Sequence, residues 1–139
     1  MSWKRRLLAT LGAFVAIFAM EFVIHHVWLS DFYKAHAEWW RPEAEMKSML
    51  HLMWLAQIVL AALLTTVYAK GYEVGKGSLA QGARFGFLIG LLLMLPSSLV
   101  DYVVYPYPVS LVASWFVGGV AEITLAGVVI GALYRPESE

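Results

Sequence analysis

ARFGFLIGLLLMLPSSLVDYVV, residues 83–104, and VSLVASWFVGGVAEITLAGVVIGAL, residues 109–133, are separated only by Tyr105-Pro106-Tyr107-Pro108. Each stretch is long enough, at ~1.5 Å of rise per helical residue, to cross a hydrocarbon layer about 30 Å thick. In that medium the backbone has no water to bond and must satisfy its own N–H and C=O groups, so both stretches are expected to be helices. So short a connection forces them into an antiparallel hairpin.

Two further apolar stretches lie upstream. One runs from Leu7 to Leu29, the other from Met46 to Ala69. The helix of the second is expected to start at Pro42, because Pro42-Glu43-Ala44-Glu45 places proline in a first turn and acids at the positive end of the dipole. The fold expected is therefore all-α: four membrane-spanning helices in an antiparallel bundle, forming one domain over residues 1–139. Met1-Ser2-Trp3-Lys4-Arg5-Arg6 before an apolar run has the look of a secretory signal. The run is longer than a signal core and no small-x-small site follows, so it reads as an uncleaved first span.

Composition agrees. Of 139 residues, 60% are hydrophobic and 14% charged, against about 45–50% and about 25% in soluble domains. Mean hydropathy is +0.68. Ten basic and ten acidic residues cancel, which leaves no global field for nucleic acid, and no basic, aromatic-interleaved stripe is present. The absence of cysteine removes thiolate metal sites, iron–sulfur clusters and covalent c-type haem. No internal repeat, low-complexity tract or linker interrupts the chain.

Orientation is read from Lys and Arg. Lys4, Arg5, Arg6, Lys70, Lys76, Arg84 and Arg135 fall on the side of the termini, and Lys34, Arg41 and Lys47 on the other. Seven against three predicts cytoplasmic termini. Aromatic residues mark both interfaces, Trp3, Tyr68, Tyr72 and Tyr134 on the inner and Trp28, Tyr33, Trp39, Trp40, Tyr102, Tyr105 and Tyr107 on the outer. Phe32, His36, Trp39 and Trp40 recur at helical spacing, so the first outer loop is expected to hold a short interfacial helix. The glycine-rich inner loop, residues 71–82, is expected to be flexible.

Lipid gives no hydrophobic drive for helix association, so close contacts need small residues. Gly82, Gly86 and Gly90 form a stripe on span three. On span four Gly118 shares a face with Trp115, Glu122 and Ala126, while Gly127 and Gly131 share another. Pro96 should free a carbonyl in span three, with Ser97 or Ser98 to compensate.

Ionisable side chains inside the spans carry what chemistry the sequence offers. A charged carboxylate in hydrocarbon costs at least ~2.5–3.5 kcal/mol. Glu21 and His25 are one helical turn apart on one face, and His51 and Asp101 also belong to the outer half. These four would supply a divalent-metal shell, or relay protons. Haem between His25 and His51 is a further geometric option. The simpler alternative is a helix-to-helix hydrogen bond for Glu21, with His25, His51 and His26 in the wet interfacial layer. Glu122 stands apart near the middle of span four, with Thr65, Thr66 and Thr124 as candidate partners for a protonated carboxyl. No catalytic motif is complete.

The chain resembles small bacterial four-helix membrane proteins of the domain-of-unknown-function type. The pieces that carry the likeness are Glu21-Phe22 with His25, then Lys70-Gly71-Tyr72-Glu73, Gly82, Arg84-Phe85-Gly86, Gly90, Trp115, Gly127 and Tyr134-Arg135. The resemblance implies the fold and the bacterial inner membrane, and no activity. The expectation is a non-enzymatic binding or accessory component, alone in the bilayer, as a homo-oligomer or within a larger membrane complex. The alternatives are a carrier of protons or small cations using Glu21 and Glu122, and an outer-facing metal or haem site.

Overall fold

In the computed structural model residues 3–134 are described; Arg135 of the charge count and Met1-Ser2 lie outside the described residues. Helix α1, Trp3–Phe22, runs on into a π-helical turn, Val23–Trp28. Two short helices follow, α2 at Ser30–Ala35 and α3 at Glu43–Ser48. Three long helices complete the chain: α4, Leu50–Lys70; α5, Ser78–Val104; and α6, Val109–Leu133. Helix α1 with its π-turn, α4, α5 and α6 are each long and apolar enough to cross a bilayer. The protein is an all-α, four-helix, multi-pass membrane protein.

Helix α6 is the centre. It packs against α5 on one side and α1 on the other, and α4 rests mainly on α1. The two faces of α6 explain this. Gly127 and Gly131 meet Gly82, Gly86 and Ser78 of α5 backbone to backbone. Gly86 is so close that a Cβ there would sit 2.5 Å from the Ile123 carbonyl oxygen. Gly90 is looser, 3.2 Å from the Val120 Cα on the same measure. On the opposite face Gly118 receives the Ile24 side chain of α1. With little side chain between them the helices gain dispersion contacts along their length, the attraction available where lipid supplies no hydrophobic force.

Near the end that carries Trp3 and Tyr134, Ala9, Ala13 and Ile17 of α1, Ala61, Leu64 and Tyr68 of α4, and Ile123, Ala126 and Ile130 of α6 form the core. Tyr68, Tyr72, Phe85 and Tyr134 pack ring on ring there. The adjoining loop is tied down. The Glu73 N–H donates to Gln81 Oε1 at 2.7 Å, Gln81 Nε2 donates to the Glu73 carbonyl at 3.1 Å, and Lys76 pairs with Glu73. Gly75 turns the loop with φ +82°, a conformation in which a Cβ would be strained.

Several sequence expectations are altered. The helix that begins after Pro42 does not continue into span two: α3 ends at Ser48, and Met49, at φ −112° and ψ 8°, separates it from α4. The Ser48 hydroxyl donates to the Glu45 carbonyl at 2.6 Å, a local bond that competes with helix continuation. Helix α5 begins at Ser78, ahead of the expected Ala83, and passes unbroken through Pro96. The Ser97 hydroxyl donates to the Leu93 and Met94 carbonyls rather than to that of Leu92, the one proline frees.

Candidate functional site

At the far end of the bundle α1 and α6 carry a run of polar groups. Glu21 lies in the last turn of α1, and the π-turn follows at once. Its mark is the Leu29 N–H, which donates five residues back to the Ile24 carbonyl at 2.9 Å. Such turns insert one residue into a helix and re-aim the side chains around it. Here the His25 ring is set between two partners. Its Nε2 lies 3.4 Å from Glu21 Oε2, and its Nδ1 lies 2.7 Å from the hydroxyl of Tyr33 on α2. The Trp115 indole of α6 donates to that same hydroxyl at 2.8 Å. On its inward side Glu21 is within hydrogen-bonding reach of the Glu122 carboxyl of α6.

The result is a continuous polar chain, Glu122–Glu21–His25–Tyr33–Trp115. It runs from the middle of α6 to the surface of the far end. Glu122 is buried, whereas the side chains of Glu21 and His25 retain about a third of their exposure, 30% and 34%. Two ionised carboxylates offer only acceptors, so a hydrogen bond between Glu21 and Glu122 requires a proton on one of them. Burial pushes the Tyr33 phenol above its ordinary value against the opposing effect of the Trp115 hydrogen bond, so this residue keeps its proton at neutral pH.

A roof of aromatic rings covers the far end of the chain. Trp40 packs edge-on against Tyr33 and Trp115, and Tyr107 contacts Trp39, Trp40 and Trp115. Phe32 and His36 stack at 4.3 Å in the same loop. The Trp40 indole N–H is buried with no acceptor among the described residues.

This arrangement redraws the group expected from the sequence. Glu21 and His25 are joined, but His51 and Asp101 do not complete a shell with them. Among the described residues no three His, Asp or Glu side chains are placed to hold a metal ion. His51 lies exposed on α4, whose buried residues, Ala61, Leu64, Thr65 and Tyr68, all belong to its other half. Asp101 belongs to α5, which packs on the Gly127 face of α6, away from Glu122. Haem bridging His25 and His51 is likewise unsupported, since both His25 ring nitrogens face protein partners. Glu122, expected to stand apart, is the neighbour of Glu21. The hydroxyls of Thr65, Thr66 and Thr124 donate to carbonyls of their own helices. His26 is exposed and stacks on Phe22.

No known protein family, curated protein or solved structure matches the chain. The geometry of the site alone therefore bears on what the protein does.

Sequence reasoning missed Tyr33 and Trp115 as site residues. Both had been placed, Tyr33 as an interfacial aromatic and Trp115 on the Glu122 face. Their meeting depends on how α2 folds back over α1 and α6. Gln57 of α4 was also missed; its Oε1 is buried with no partner among the described residues.

Proposed function

We propose that the protein is a small non-enzymatic component of the bacterial cytoplasmic membrane, of the four-helix type it resembles, whose ligand is the proton. Its termini face the cytoplasm, and the site opens toward the outer face. The observation that carries this reading is the contact between Glu21 and Glu122, continued through His25 to Tyr33. Paired carboxyl groups on facing membrane helices share a proton readily, because two negative charges side by side in a low dielectric are costly. A histidine next to the pair is the side chain best suited to deliver that proton near neutral pH. The carrier alternative thus gains over a passive accessory role.

Purified protein in lipid vesicles loaded with a pH-sensitive dye provides the test. A potassium diffusion potential should drive proton uptake well above that of empty vesicles. Glu21→Gln should abolish it while leaving helicity and melting temperature close to wild type, since glutamine preserves shape and hydrogen bonding. Uptake equal to empty vesicles in the wild type would remove the carrier reading. An unfolded Glu21→Gln protein would make the carboxyl a structural requirement.

A further inference from the structure

The polar chain has a direction, and the direction comes from its far end. An indole nitrogen donates and never accepts, so the 2.8 Å bond between Trp115 Nε1 and the Tyr33 hydroxyl makes Tyr33 oxygen the acceptor. Tyr33 then has one hydrogen left. The partner in reach is His25 Nδ1 at 2.7 Å, which accepts when the Tyr33 hydrogen points to it. In a neutral imidazole one nitrogen accepts and the other carries hydrogen. In that arrangement the ring hydrogen is on Nε2, the nitrogen that faces Glu21.

We infer that Trp115 is a positioning residue which, through the Tyr33 hydroxyl, holds neutral His25 at rest in its Nε2–H tautomer, so that the resting ring presents a hydrogen to Glu21. The inference rests on the proton-carrying reading for its use but not for its truth. A proton arriving at Tyr33 oxygen releases the old hydroxyl hydrogen to His25 Nδ1, as the Nε2 hydrogen passes to Glu21. The Tyr33 oxygen loses one O–H bond and gains another, Nδ1 gains an N–H bond as Nε2 loses one, and Glu21 gains an O–H bond. One proton has entered at Tyr33 and one has reached Glu21, and the ring, left as Nδ1–H, returns to Nε2–H before the next transfer. With the opposite tautomer, Nδ1–H would face Tyr33 and Nε2 would have nothing to give.

Other groups act on the ring. Glu21 and His26 lie on its own helix, Tyr33 on α2, and Glu122 reaches it across Glu21 from α6. Glu21 as an ionised acceptor also favours Nε2–H, so the test must separate its influence from that of Trp115. The separation comes from Glu21→Gln, since a glutamine amide accepts or donates equally well.

The experiment is nitrogen NMR of the full chain, with histidine labelled at both ring nitrogens, in lipid nanodiscs at a pH where the His25 signal is that of neutral imidazole. His25 is assigned by its loss in His25→Asn. The Nδ1–H form should be absent in wild type and still absent in Glu21→Gln. It should appear in Glu21→Gln combined with Trp115→Phe, and equally in Glu21→Gln combined with Tyr33→Phe, which serves if the first double variant does not fold. An Nδ1–H form already present in Glu21→Gln alone overturns the inference, as does its absence from both double variants. Vesicle uptake by Trp115→Phe, with Glu21 intact, supplies the second readout. Tautomers that respond as expected in a protein that moves no protons would uphold the lock and defeat the proton reading.

Discussion

Gln57 stands one helical turn beyond Ala61 on α4, just as Glu21 stands one turn beyond Ile17 on α1 and Glu122 one turn beyond Ala126 on α6. Ile17, Ala61 and Ala126 belong to one core cluster, so the three polar residues form a layer that caps it on the far side. The Gln57 amide oxygen is buried and unpartnered among the described residues, and an unmade hydrogen bond of that kind costs about 1–3 kcal/mol. Leucine has similar bulk and no polar atom. Gln57→Leu should therefore raise the melting temperature in detergent, by an amount equivalent to about 1 kcal/mol. A lower melting temperature would mean that the amide is bonded in the membrane. At this scale the sequence was partly legible. The spacing of Glu21 and His25 places them together, because one turn of helix suffices. The Glu21–Glu122 contact was not legible, since nothing local to either residue reports which faces of α1 and α6 meet.

Among the elements, the α5–α6 hairpin was the most legible. Its two apolar stretches, its short connection and its glycine stripes are all local signals, and Gly82, Gly86 and Gly90 line the face of α5 that meets α6. The π-turn at Val23–Trp28 was the least legible. No glycine or proline marks it, and VIHHVW reads as ordinary helix; the turn is set by the packing of Ile24 on Gly118 and of His25 on Tyr33. The break at Met49 was missed for a similar reason, because Glu43–Ser48 has sound helix chemistry of its own, including the Lys47–Glu43 ion pair at 2.9 Å. The stripe on α5 makes a graded prediction. A methyl group on Gly86 meets backbone atoms that have nowhere to go, whereas on Gly90 it needs a shift of only a few tenths of an ångström. Gly86→Ala should destabilise the protein by about 1–3 kcal/mol, the usual range for overpacking, and Gly90→Ala distinctly less. Equal losses in chemical unfolding from detergent would show that α5 and α6 do not approach as described.

For the molecule as a whole, the end that faces the cytoplasm decides whether protons would enter the chain through Tyr33 from outside. The helices give only relative placement: loop 71–77 lies at the end that carries Trp3 and Tyr134, and the segment from Leu29 to Met49 lies at the other. Basic residues supply the direction. Short loops rich in Lys and Arg stay on the cytoplasmic side, and the count of seven against three predicts that loop 71–77 lies there. The absence of native cysteine makes the check direct, since a single introduced cysteine is the only thiol to label. Val74 is 87% exposed, and Glu38 is exposed in the far loop. In intact cells whose outer membrane has been made permeable, a membrane-impermeant maleimide should label Glu38→Cys and leave Val74→Cys unlabelled until the inner membrane is lysed. Labelling of Val74→Cys before lysis would invert the protein. The Glu122–Glu21–His25–Tyr33 chain would then open to the cytoplasm, and His25 would handle protons leaving that compartment.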